Sequence, residues 1–104
     1  MAEKPTVLHE ALEMFGAEAQ TLMVFEEMSE LQKELCKHAR GKDNRLAIAE
    51  EIADVRIMLD QMCILHDCEN LAKVYRTAKL ARLWERIKNE KEAREHDDGE
   101  KAAT

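Results

Sequence analysis

The chain has 104 residues, 45% of them apolar and 37% charged, with three Gly, one Pro and a formal net charge of −6. That suffices for one domain of three or four helices with a modest core, which makes self-association expected and leaves little turn material for a sheet of short strands. The negative balance argues against a nucleic-acid polymer as partner, because phosphate binding requires a basic stripe to release counterions.

The N-terminal MAEKPTVLHE lacks the apolar core of a signal peptide, and no run of about 18 apolar residues follows that could span a membrane. Pro5 and Thr6 mark the start of a first helix, whose apolar side is Val7, Leu8, Ala11, Leu12, Met14 and Phe15 and which Gly16 interrupts. From Ala17 to about Arg40 the residues Val24, Met28, Leu31 and Leu35 recur at i, i+4, i+7 and i+11, a narrow seam for packing against another helix. Gly41-Lys42-Asp43-Asn44 then stops the helix and turns the chain, with Asp43 or Asn44 able to cap the next start.

From Arg45 to about His66 the seam is Ile48, Ile52, Val55, Leu59 and Met62, and from Ile57 onward the segment is apolar nearly all round except at Asp60 and Gln61. Asp67 can cap a further helix from about Cys68 to Glu92. Its apolar side changes partway, from Leu71, Val74, Tyr75 and Ala78 to Leu80, Leu83, Trp84 and Ile87, so either it breaks near Thr77 or Ala78 or its halves pack on different partners. Residues 89–104 are charged and carry no seam, which predicts a domain over 1–88 and a frayed or disordered tail. The expected fold is all-α, an antiparallel bundle of about four helices. Cys36, Cys63 and Cys68, an odd number on helical stretches, predict reduced thiols in a cytoplasmic protein.

The two long helices share an acidic pattern. Glu26, Glu27 and Glu30 in VFEEMSELQKEL recur as Glu50, Glu51 and Asp54 in IAEEIADVRIML, at a constant offset of 24 residues. At about 100° per residue, Glu27 and Glu30 lie about 60° apart on one helical face, as do Glu51 and Asp54. A short connection favours an antiparallel pair, in which these matching faces turn toward each other. Four convergent carboxylates repel unless compensated, and a hard divalent cation compensates them: Mg²⁺ first, with Mn²⁺ as a substitute. The Glu-x-x-His motif of di-iron bundles does not occur. Lys79, Arg82 and Arg86 on one side of the last helix, with Lys37 after the first acidic motif, offer charge to a phosphate substrate.

EEMSEL followed by EEIADV resembles the E-E-x-x-E and E-x-x-D signature of the MazG-like, all-α nucleoside triphosphate pyrophosphohydrolases. FGAEAQTLMVFEEMSELQKEL, AEEIADVRIMLDQM and KLARLWERI look like the short, single-domain, often phage-associated branch. The resemblance implies a homodimer or homotetramer that cleaves a nucleoside triphosphate, in pool sanitation or dNTP balance, to the monophosphate and pyrophosphate. Carried over by position, the metal ligands are Glu27, Glu30, Glu51 and Asp54, and Glu26 or Glu50 positions or deprotonates the attacking water. Lys37, Lys79, Arg82 and Arg86 are the expected phosphate contacts. The competing reading is a non-catalytic helical interaction module with solvated acidic faces, since glutamate favours helices without any site. Cys63, His66 and Cys68 form a weaker soft-metal pattern that lacks a fourth ligand.

Overall fold

The computed structural model describes residues 4–103, which form four α-helices and no strand. They are α1 (Lys4–Phe15), α2 (Ala17–Ala39), α3 (Arg45–Leu65) and α4 (Glu69–Ala103). The chain divides into two compact units, Met1–Glu69 and Asn70–Thr104, with the division at the head of α4. None of the described helices is long and apolar enough to cross a membrane.

Three left-handed residues punctuate the first unit. Gly16, at φ 89°, ends α1 by donating its N–H to the Leu12 carbonyl at 2.9 Å, and its own carbonyl accepts from Gln20 at 3.1 Å to start α2. Gly41, at φ 99°, closes α2 with the paired bonds of a Schellman turn: its N–H to the His38 carbonyl (2.9 Å), and Lys42 N–H to the Lys37 carbonyl (3.1 Å). Asp67, at φ 49°, does the same for α3, with its N–H bonded to the Ile64 carbonyl (3.2 Å) and Cys68 N–H to the Cys63 carbonyl (3.0 Å). Asp67 is therefore a helix stop, not the cap of α4 that its side chain suggested. Asp is among the few non-glycine residues that enter this region readily.

Asn44 occupies the N-cap of α3, yet its side chain makes no capping bond. Its carbonyl accepts the Ile48 N–H at 3.0 Å, while its Nδ2 crosses to the Glu34 carbonyl of α2 at 2.9 Å. The α2–α3 turn is thereby tied down. Thr21 Oγ1 lies 3.9 Å from Met62 Sδ. The two contacts pair the start of α2 with the end of α3 and the reverse, so the helices run antiparallel.

Helix α1 packs against both α2 and α3, and Leu8, Val24 and Met58 are the buried apolar residues at the centre of the three-helix unit. Gln61 is buried with them, 1% exposed, and its Nε2 donates to the Leu8 carbonyl at 3.4 Å. The seams differ from the expected ones. Met28, Leu35, Ile52 and Leu59 are exposed, whereas Glu27 and Glu34 on α2 and Glu51 and Asp54 on α3 are half-buried. The α2–α3 contact thus runs along 24, 27, 31 and 34 on one side and 51, 54/55, 58 and 61/62 on the other, with carboxylates inside the seam rather than beside it.

In the second unit, α4 continues without a break. Thr77 Oγ1 donates to the Lys73 carbonyl at 3.1 Å within an intact helix, and the charged segment from Asn89, expected to fray, is helical to Ala103. Short-range pairs support it: Lys88–Glu85 at 3.0 Å, Arg94–Glu90 at 3.1 Å, and Lys91 Nζ at 5.9 Å from the Trp84 ring centroid. Leu71, Val74, Tyr75, Leu80, Leu83, Trp84 and Ile87 are all exposed.

Candidate metal centre

The antiparallel pairing brings the two acidic motifs face to face. Glu27 of α2 and Glu51 and Asp54 of α3 each offer one carboxylate oxygen, and these oxygens lie within 4.8 Å of one another. All three side chains are half-buried. The distances suit oxygens arranged around one small cation, and the donor set is the hard-oxygen kind that Mg²⁺ or Mn²⁺ prefers.

The electrostatics show what such a cluster lacks. Burial, then Asp54 and Glu51, push the Glu27 carboxyl above the ordinary glutamate value, and a hydrogen bond to Asp54 adds to the shift. Burial likewise raises Glu51, followed by the charges of Asp54 and Glu30. Glu51 Oε2 is buried with no hydrogen-bond partner, an orphaned acceptor facing a surplus of negative charge. A divalent cation would answer both deficits, so the residues fit the ion.

Glu30, the fourth expected ligand, is exposed and stands outside the converging trio. It is still close enough for its charge to raise both Glu27 and Glu51. Glu26 and Glu50 are exposed. Glu26, Glu27 and Glu30 line an open depression together with Phe25 and Ser29. Lys37 is already engaged, its Nζ 3.2 Å from Glu34 Oε2. Lys79, Arg82 and Arg86 lie on α4 in the second unit and are exposed. Among the described residues, Cys63, His66 and Cys68 do not form a converging ligand set.

Two residues at the site escaped the sequence reading. Glu34 is half-buried, its charge contributes to the raised Glu51, and its own carboxyl is held below the ordinary range chiefly by Lys37. Its position seven residues after Glu27 and four after Glu30 was the available signal. Phe25, 61% exposed beside the acids, is the other, and its place directly before the Glu26-Glu27 pair was the available signal. Comparison with known proteins returns no matching family model, no matching curated protein and no matching solved structure.

Proposed function

We propose that the protein is a Mg²⁺-dependent nucleoside triphosphate pyrophosphohydrolase of the MazG-like kind, releasing pyrophosphate and a nucleoside monophosphate. The single observation that carries this reading is the convergence of Glu27, Glu51 and Asp54 to within 4.8 Å, from two motifs separated by a constant offset. The motif resemblance supplies the bond to be cut.

Glu27, Glu51 and Asp54 would hold the ion, with the exposed Glu30 close enough for its charge to act on Glu27 and Glu51. A bound Mg²⁺ supplies activation of a water and neutralisation of the charge that develops on the phosphate oxygens. Three carboxylates leave coordination positions open, as magnesium sites that receive phosphate require. Glu26 and Glu50, both exposed and each adjacent in sequence to a member of the trio, can each orient or deprotonate the attacking water. Phe25 offers an apolar ring face to a nucleobase at the same depression. Lys37 can exchange its Glu34 contact for a phosphate oxygen. Lys79, Arg82 and Arg86 remain phosphate candidates on their chemistry alone.

The proposed assembly is a homodimer or homotetramer. Supporting it, Leu22, Phe25, Met28, Leu35, Leu46, Ile52, Ile57 and Leu59 are all at least 36% exposed on α2 and α3, more apolar surface than a lone small domain usually leaves in water.

The test is a screen of canonical and modified nucleoside triphosphates with Mg²⁺, with product analysis. Pyrophosphate and monophosphate in equal amounts are expected, and Asp54→Asn should reduce turnover by at least 100-fold, on the scale of removing a group that acts directly on the transition state. Orthophosphate as sole product would refute the bond assignment. No hydrolysis of any member, with no response to the ion, would favour the helical interaction module.

A further inference from the structure

The cysteines at the end of α3 occupy special places in its Schellman turn. Cys63 accepts the outer hydrogen bond and Cys68 donates it, at 3.0 Å, while the inner bond from Asp67 to Ile64 is 3.2 Å and Asp67 takes the left-handed φ of 49°. In this motif the residues joined by the outer bond usually bring their side chains together in an apolar contact across the helix end. Here both of those side chains are thiols. Both cysteines are half-buried, accessible to a small molecule.

From this geometry we infer that Cys63 and Cys68 form a redox-responsive dithiol, which closes into an intrachain disulfide by exchange with a low-molecular-weight disulfide. The turn fixes the two backbones in advance, which is what disulfide formation requires, since two cysteines held apart must move their chain to bond. Burial and the adjacent Cys68 hold the Cys63 thiol above its ordinary value, which suits it to the second, resolving step rather than the first.

The Cys68 thiolate attacks one sulfur of R–S–S–R, forming a Cys68–S–S–R mixed disulfide and expelling one RS⁻. The Cys63 thiol gives its proton to that thiolate or to water, and its sulfur attacks the Cys68 sulfur, forming the Cys63–Cys68 bond and expelling the second RS⁻. The two protein thiols lose two electrons and R–S–S–R gains them, ending as two RSH. Both cysteines lie in the first unit, Cys63 in the last turn of α3 and Cys68 immediately before α4.

Trypsin leaves both cysteines in one peptide, residues 57–73, and Cys36 in another, which makes the outcome directly readable. The experiment treats the full chain carrying Cys36→Ser with glutathione disulfide under native conditions, followed by intact-mass and peptide analysis. Expected is a 57–73 peptide lighter by two hydrogens, with no retained glutathione, restored by dithiothreitol. The further substitution Cys63→Ser should trap glutathione on Cys68, at least tenfold above the amount retained when Cys63 is present. A persistent glutathione adduct in the Cys36→Ser protein, chains linked to one another, or an unmodified Cys68 in the Cys63→Ser variant would each overturn the inference.

Discussion

Gln61 is the most deeply buried side chain of the first unit, yet only half of its amide is answered: Nε2 reaches the Leu8 carbonyl at 3.4 Å, and Oε1 is buried without a partner. An unsatisfied buried acceptor costs about 1–3 kcal/mol. Gln61→Met keeps the length and removes the orphan, so it should leave the fold intact and raise the unfolding free energy by about 1 kcal/mol in a urea titration. A loss of similar size would show that the bond to Leu8 outweighs the orphan. Gln61 was visible in the sequence as a polar residue in an apolar run, but which face of α3 it occupied depended on α1, whose approach no periodicity encodes.

The acids make a second residue-scale prediction. The folded-state carboxyls of Glu27 and Glu51 titrate above the ordinary 4.5, so the folded protein binds protons more readily than the unfolded chain in that region. The stability of the metal-free protein therefore rises as pH falls from neutral toward 4.5. Glu34 has the opposite sign: its carboxyl sits below 4.5, and the stability it contributes is present above that value and lost as pH falls through its lowered pKa. Thermal unfolding in chelator should show a melting temperature that climbs on mild acidification and then drops. Glu27→Gln should flatten the climb and spare the drop. A wild-type protein that loses stability steadily from pH 7 downward would contradict this assignment of the strained pair.

At the scale of the elements, stops were easier to read than seams. Gly16 and Gly41 announced their breaks because only glycine enters the left-handed region without a Cβ penalty, and the helices end where they stand. An added Cβ at Gly41 would meet nothing within 4 Å, so the cost of Gly41→Ala is that of the backbone conformation alone, about 1–2 kcal/mol by the left-handed penalty. Denaturant unfolding at unchanged slope measures it, and an unaffected midpoint would mean that the turn relaxes. Asp67 was misleading because Asp serves equally as an N-cap and as a left-handed stop, and only the hydrogen bonds distinguish the two. The seams misled for another reason. Hydropathy assigns Leu and Ile to the interior, but the α2–α3 contact is made partly by Glu27, Glu34, Glu51 and Asp54, while Ile52 and Leu59 remain exposed. The 24-residue repeat revealed that the acids face one another, and three of the four expected ligands do converge.

Among the described residues few apolar side chains are buried and many are exposed, and the four helices there were foreseeable from the sequence, whereas the division at Glu69 was not. That boundary falls ahead of the apolar residues of α4, which begin at Leu71 and in the sequence look like one more face of a single bundle. The exposed apolar faces predict that sedimentation will detect a dimer or tetramer at micromolar concentration. A monomer at all concentrations would remove the assembly from the proposal while leaving the acid cluster untouched.

If the acid cluster binds a divalent cation, the ion must stabilise the folded chain. A ligand present at 100 times its dissociation constant and bound only by the folded state adds about 2.7 kcal/mol of stability. The measurement is thermal unfolding with and without Mg²⁺ or Mn²⁺ for the wild-type chain and for Glu51→Gln, at constant ionic strength. The melting temperature of the wild-type chain should rise, saturate with the ion, and lose most of that rise in the variant. Equal melting temperatures with and without the ion, or the same rise in both proteins, would contradict a metal site built from Glu27, Glu51 and Asp54.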